Sequence, residues 1–337
     1  MKKISCSILS SININNWELY ERFDFFIRWN ELLVVNNNWL EKIDNKEKFN
    51  DVLNCIQFWD FKRLEIIKDK IDISNFEIIE RIEIKKEAIK VLQNAKEKNN
   101  QWQIKKFIYD KFTNTPIIPW STLKGIFRTV FLYDKLYNDY SNIENKEYIN
   151  SLNKQLDNEL FNFIWFNDVK IKNYEKYIQK ILWVNKKANT GKEHWIWQIL
   201  ESINSWEFDI EIDIYPNEKN ISLWDDFIQK IKDYSNILIT REEQILDNIW
   251  IRIDFIDKLN DLYDQWKYPI KIWMFKKSLS YKIFWEEILE DHIYKFNHRK
   301  WLKIMDHKSS RTFWVWDKSI YLDENWNPVW WLLLEFK

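Results

Sequence analysis

The residues best placed to do chemistry lie in one run, Ile117-Ile118-Pro119-Trp120-Ser121-Thr122-Leu123-Lys124-Gly125-Ile126-Phe127-Arg128-Thr129. An apolar pair and a proline end an extended segment there, and Ser121 stands where a helix N-cap is expected. The first N–H groups of such a helix point outward, unpaired, at the positive end of the macrodipole, which is a natural seat for a phosphate. Lys124 falls in the first turn, where a cation opposes the dipole; an anion seated between the two resolves the conflict. Arg128, four residues on, shares that face and can grip a second phosphate or a ribose. Gly125 costs about 1 kcal/mol relative to Ala inside a helix, which makes sense where a backbone or a nucleotide comes close. Thr122 completes the turn. The same residues also describe an ordinary capped helix with two surface cations.

A second cluster lies toward the C-terminus. Between Lys295 and Lys318 the cations Lys295, Arg299, Lys300, Lys303, Lys308, Arg311 and Lys318 meet only Asp306 and Asp317. Within it, Lys308-Ser309-Ser310-Arg311-Thr312-Phe313-Trp314-Val315-Trp316-Asp317-Lys318 becomes a Gly-x-Gly loop between cations if Trp314 and Trp316 are read as glycine. Main-chain N–H groups could then approach phosphates while the cations add charge. A β-turn with solvated charges would have the same sequence.

Bond-breaking chemistry is harder to find. His298 and His307 flank the basic stretch and could serve as general acid or base on RNA, but a surface or structural role is the simpler account of these, of His194 and of His292. Asp168, beside a strand start, reads as structural. Asn189-Thr190-Gly191-Lys192 lacks the spacing of a nucleotide-binding loop. No spacing reads as a metal site, and no cofactor is expected. Cys6 and Cys55 cannot build a disulfide framework, which suits a reduced cytoplasm.

The composition carries a further signal. The chain has 22 Trp and 2 Gly in 337 residues, whereas about 7% glycine, some two dozen, is usual. The tryptophans stand where glycines belong. Asn16-Trp17, Asn38-Trp39 and Asn325-Trp326 look like Asn-Gly turns, and Trp29-Asn30 separates two apolar runs as a Gly-Asn hairpin turn would. Read as glycine, Trp120 gives the tight strand-to-helix turn that a phosphate approach needs. The expectation is that most of these positions are UGA codons read as glycine in the source organism. The literal alternative is an indole-rich ligand-binding surface.

The elements that must position these residues are mixed. Residues 4–14 alternate as a strand, 23–27 and 31–35 as a hairpin, and 46–111 read as charged, helix-periodic chain with Ile66, Ile67, Ile78, Ile79, Ala88, Ile89 and Val91 as apolar positions. A helix follows from Ser121 to about Tyr137 with Leu123, Ile126, Phe127, Val130 and Phe131 as its buried stripe. Further helices are expected at 146–163, 225–234 and 241–262, and strands at 168–171, 207–215, 268–275, 312–322 and 331–336. This is an α+β pattern. Charged residues make up 31% and no apolar run approaches a membrane span. A net charge of −1 means that any nucleic acid is held by local cations or shared with partners.

The run Ile118-Pro119-(Gly)-Ser121-Thr122-Leu123-Lys124-Gly125-x-x-Arg128-Thr129 resembles the signature of the RAMP superfamily of CRISPR-associated proteins. Within it the chain is similar to the fifth Csm subunit of type III-A effector complexes. Ile12 to Tyr20, the hairpin 23–35, Leu160-Phe161-Asn162-Phe163 with Asp168, and Asn327-Pro328-Val329-Trp330-Trp331-Leu332 resemble other stretches of that family, with Trp330 as glycine and Trp331 as a true Trp. Asn15 stands where the family has His, so no role is carried onto it. The resemblance implies ferredoxin-like, RNA-recognition-type domains with helical insertions: one over 1–216 with an insertion near 46–112, another over 217–337. It implies RNA contacts at Trp120, Ser121, Thr122, Lys124, Gly125, Arg128, Lys308, Arg311, Trp314, Trp316 and Lys318. It also implies a non-catalytic subunit that caps the 3′ end of the CRISPR RNA and assists its maturation, beside the backbone RAMP subunit and with host nucleases. A guide-processing endoribonuclease of the same superfamily is the rival expectation.

Overall fold

A computed structural model describes residues 2–15, 18–97, 103–138, 146–186, 193–205, 207–215, 223–248, 254–272 and 318–336. In chain order the first half forms β1 (Lys2–Ile8), β2 (Leu19–Tyr20), β3 (Phe25–Arg28), β4 (Glu31–Val35), α1 (Lys46–Gln57), α2 (Phe61–Asp69), β5 (Ile78–Ile84), α3 (Lys86–Glu97), β6 (Ile104–Lys105) and β7 (Ile117–Ile118). Then come α4 (Trp120–Asn138), α5 (Lys146–Leu156), β8 (Ile164–Phe166), β9 (Val169–Lys170), β10 (Tyr174–Lys186), β11 (Glu193–Ser205) and β12 (Phe208–Ile214). The last are α6 (Leu223–Asn248), α7 (Asp254–Asp264), β13 (Tyr268–Lys271), β14 (Lys318–Leu322) and β15 (Trp331–Phe336).

Two sheets organise these elements. The smaller is antiparallel, in the order β13-β15-β1-β12-β8. Its central strand, β1, pairs Ile4 with Ile210 on one side and with Phe336 on the other. The sheet therefore draws strands from both sides of residue 216. Helices cover it: Phe127 of α4 stacks on Phe166 of β8 at 5.2 Å, and Phe227 of α6 lies 4.9 Å from Phe127. The larger sheet runs β2-β6-β11-β10-β5-β4-β3, with β14 also on β10. Its spine is the β10–β11 hairpin, and the two sheets share a core that reaches from Ile4 to Leu334. Strands with helices grouped over them make the expected α+β fold.

The hairpin β3–β4 is buried on both faces. Phe25 and Leu32 join Ala88 and Leu92 of α3, while Phe26 and Leu33 join Val52 of α1 and Leu64 of α2. That is the period of two sorting neighbours into separate layers. The expected continuous helical stretch over 46–111 is corrected here. Ile78-Ile79-Glu80-Arg81-Ile82-Glu83-Ile84 is strand β5, because its apolar residues alternate and β4 supplies a partner. Residues 225–234 and 241–248 belong to one helix, α6, not two. No described helix is long and apolar enough to cross a membrane.

Among the described residues, the non-glycine positions with left-handed backbone are Trp29, Trp59, Asn114, Trp266, Trp326 and Trp330. Trp29, at φ 54°, is the first of the two turn residues between β3 and β4, where a II′ turn takes glycine. Trp59 closes α1: its N–H donates to Ile56 and that of Asp60 to Cys55. Trp266 closes α7 likewise, with its N–H on Tyr263 and that of Lys267 on Leu262. Both are Schellman ends, whose left-handed residue is usually glycine. Trp326 lies in the Asp323–Asn327 turn and Trp330 at the entrance to β15. A bulky residue pays roughly 1–2 kcal/mol for this conformation. Five such positions together would consume a large part of the ~5–15 kcal/mol by which a domain is stable.

The other described tryptophans lack this backbone, and Trp120 among them is helical, so the tight glycine turn expected at 120 is not seen. Trp39 sits in a helical turn, is buried, and donates its indole N–H to the Phe23 carbonyl at 2.9 Å, so the Asn38-Trp39 pair is not a glycine turn. Trp331 is buried in β15, and the neighbouring Trp330 is buried as well. Trp17 lies outside the described residues.

Candidate nucleic-acid interface

Ile117 and Ile118 are buried as β7, which pairs antiparallel with β9. Pro119 ends the strand, and α4 begins at Trp120. The pairing of Ile118 with Val169 brings Asp168 beside the helix mouth, and the Trp120 N–H donates to its Oδ1 at 2.7 Å. The cap is therefore a carboxylate from the residue just before β9, and the expected Ser121 cap is corrected. Ser121 lies inside the first turn, because the chain bends at Pro119, whose carbonyl accepts from Thr122 and Leu123.

Along α4 the stripe Leu123, Ile126, Phe127, Val130 and Phe131 is buried as expected. Thr122 is buried as well, so this expected contact residue lies beneath the surface, on the sheet side of the turn. Trp120, 50% exposed, Ser121 and Gly125 form the outer ribbon. A Cβ on Gly125 would meet nothing within 4 Å, so no neighbour in this chain calls for glycine there. The backbone is bare on the side where an external chain can approach.

Lys124 and Arg128 flank this ribbon, but they do not converge on the helix mouth as expected. Both turn to Asp157, in the π-helical turn Asp157–Phe161 that follows α5. Lys124 Nζ lies 3.8 Å from the Asp157 carboxylate and donates to the Phe161 carbonyl at 3.4 Å. Arg128 Nη2 ion-pairs with the same carboxylate. Each cation sits 5.8 Å over the Phe161 ring. The Arg128 Nε is buried without a hydrogen-bond partner, so its donor fork is only partly used. The anion that reconciles Lys124 with the helix dipole is thus supplied from within the chain. The two carboxylates were not legible as partners: Asp157 is 33 residues from Lys124 and meets it only through the packing of α5 on α4.

The second expected cluster is reached only at its edge. Lys318 opens β14, its backbone opposite Lys186; Lys308, Arg311, Trp314 and Trp316 lie outside the described residues. So do His292, His298, His307 and the stretch 189–192, which joins β10 to β11. Among the described residues no cluster of His, Cys, Asp or Glu could hold a metal ion.

No family model and no curated protein matches the sequence. Solved structures do. A chain of a Csm–crRNA–target RNA ternary complex from a type III-A CRISPR–Cas system matches with a TM-score of 0.66 at 15% identity, over 99% of this chain and 100% of that one. The crystal structure of T. onnurineus Csm5 matches with a TM-score of 0.59 at 14% identity, over 98% of this chain and 99% of that one. The likeness is end to end, and this chain shares the α+β fold of those two chains.

Proposed function

We propose that this chain is a cytoplasmic, non-catalytic RNA-binding subunit of a Csm-type effector complex, capping the 3′ end of the CRISPR RNA and assisting its maturation in antiviral defence. The observation that carries the reading is the whole-length likeness to a chain of a Csm–crRNA assembly and to Csm5. The outer ribbon of α4 supports it. Ser121 and Gly125 leave main chain open to a phosphodiester, and Lys124 and Arg128 stand on its flank. Asp157 holds both cations at the flank of the ribbon, and a phosphodiester, which has the same single negative charge and is likewise a bidentate partner for Arg128, can take its place. Guide sequences vary, so contacts to the RNA backbone suit the task. The net charge of −1 suits an RNA shared with other Csm subunits. Lys308, Arg311 and Lys318 form the second contact in this reading, with glycine at 314 and 316. We infer likewise that the natural protein carries glycine at 29, 59, 266, 326 and 330, where the backbone is left-handed.

Replacing Lys124 and Arg128 together by Ala is expected to weaken retention of guide RNA and to flatten the salt dependence of binding. The log–log slope should fall by about 0.7 for each phosphate of a single strand that the variant no longer neutralises. Unchanged 3′-end protection with an unchanged slope overturns the assignment. Metal-independent cleavage of repeat RNA, abolished by His307→Ala, would replace it with the endoribonuclease reading.

A further inference from the structure

Phe112 is 99% exposed, the most exposed large hydrophobic side chain among the described residues. It stands on a loop built to hold it out. Tyr109 and Pro116 form the bridge at the loop's base, and the Asp110 N–H donates to the Thr115 carbonyl at 2.9 Å. Asp110 Oδ1 accepts from the Phe112 N–H at 3.0 Å, the Thr113 N–H at 2.8 Å and the Thr113 hydroxyl at 2.9 Å. The Asn114 N–H returns to the Asp110 carbonyl at 2.9 Å, with Asn114 left-handed at φ 49°. These donors, together with Lys170, hold the Asp110 carboxyl at about 2, well below its ordinary value. The loop is ordered before anything binds, so little conformational freedom is lost when the phenyl finds a partner.

The surroundings indicate which partner. Lys111, Thr113 and Asn114 are all exposed and polar, so the ring is not the centre of an apolar patch of the kind that anchors a protein. Cations stand in the loop and on the neighbouring strand β9 instead. Lys111 precedes it, Lys170 reaches the Asp110 carboxylate at 3.2 Å, and Lys172 follows Ile171, whose N–H donates to the Pro116 carbonyl. From Pro116 the chain runs through β7 directly into the mouth of α4, about 13 Å of extended backbone at most. An exposed ring on a loop that carries a cation and leads into the proposed phosphate-binding ribbon fits the way proteins hold single-stranded nucleic acid.

We propose that Phe112 is a base-stacking residue for single-stranded RNA that runs past the ribbon of α4. This rests on the RNA-binding reading above and adds a contact to a base face, where that reading has contacts to the backbone only. Stacking tolerates every base, which suits a guide of variable sequence.

The test uses the full chain and a fluorescein-labelled oligouridine, with the same strand made abasic as a second probe, both followed by anisotropy. Wild type should bind the intact strand more tightly than the abasic one. Phe112→Ala should lose roughly fivefold to a hundredfold on the intact strand, lose little on the abasic strand, and so cease to discriminate. Phe112→Tyr should retain the wild-type pattern. Phe112 touches no core, and a circular dichroism spectrum like that of wild type shows that the Ala variant folds. Equal binding of the intact strand by wild type and Phe112→Ala overturns the inference while leaving the RNA-binding reading in place. Loss of association with a neighbouring Csm subunit, with RNA binding unchanged, overturns it in favour of a protein anchor. A wild-type chain that binds neither strand removes both readings.

Discussion

Trp29, Trp59, Trp266, Trp326 and Trp330 hold a backbone geometry that costs an aromatic residue energy and costs glycine none. Trp39 and Trp331 hold an ordinary backbone and fill the core. The contrast separates the two kinds of position by experiment. Trp29→Gly and Trp266→Gly give up little packing, since both rings are mostly in solvent, and each should raise stability by about 1 kcal/mol in urea unfolding. Trp39→Gly should lower it by about 3–5 kcal/mol, the cost of emptying a large buried site. An intact mass of the protein from its own host that shows indoles at the left-handed positions would end the recoding inference. The turns at Trp29 and Trp326 were legible because their Asn neighbours mark them. Trp59 and Trp266 were not, because a helix end is a weaker local signal. Asn38-Trp39 misled for a different reason: a dipeptide carries no sign of the Phe26 and Phe76 rings that pack against it in three dimensions.

At the scale of the element, α4 was legible from its apolar stripe, and its cap was not. The stripe is local, whereas Asp168 arrives through the pairing of β7 with β9. Asp168→Ala should destabilise the protein by about 1 kcal/mol, the usual worth of a helix cap, as measured by thermal or urea unfolding. Asp168→Asn should recover most of the loss, since an amide oxygen can still accept from the Trp120 N–H. No change in either variant would mean that the carboxylate is not holding the helix mouth. The β10–β11 hairpin escaped the sequence for a related reason. Gln179, Glu201 and Ser202 are buried within it, so clean alternation of apolar and polar residues is lost where polar side chains turn inward.

Across the whole molecule, the buried Glu201 ties distant segments together. Its carboxylate accepts from the Phe107 N–H at 2.8 Å and the Tyr109 hydroxyl at 2.6 Å, with Lys176 at 3.6 Å. Its backbone carbonyl accepts from Asn13. Burial raises the carboxyl pKa, opposed by Lys176 and the two donors. Glu201→Gln replaces one of two acceptor oxygens with a donor facing a donor, and should cost about 1–3 kcal/mol in urea unfolding. A loss within a few tenths of a kcal/mol would show that the network is not a structural tie. Helices, hairpin turns and the α4 motif could be read along the chain, but this tie and the place of β1 could not, because both depend on residues far apart in sequence.

The place of β1 sets the order in which the protein can form. β1, the middle of the smaller sheet, leaves the ribosome before the other described elements, and one of its two partners, β15, leaves after them. Until β15 follows, that flank of β1 has unpaired edge groups. Closure of this sheet waits on a partner far along the chain, with a long search behind it, and β1 is open to wrong partners until that pairing forms.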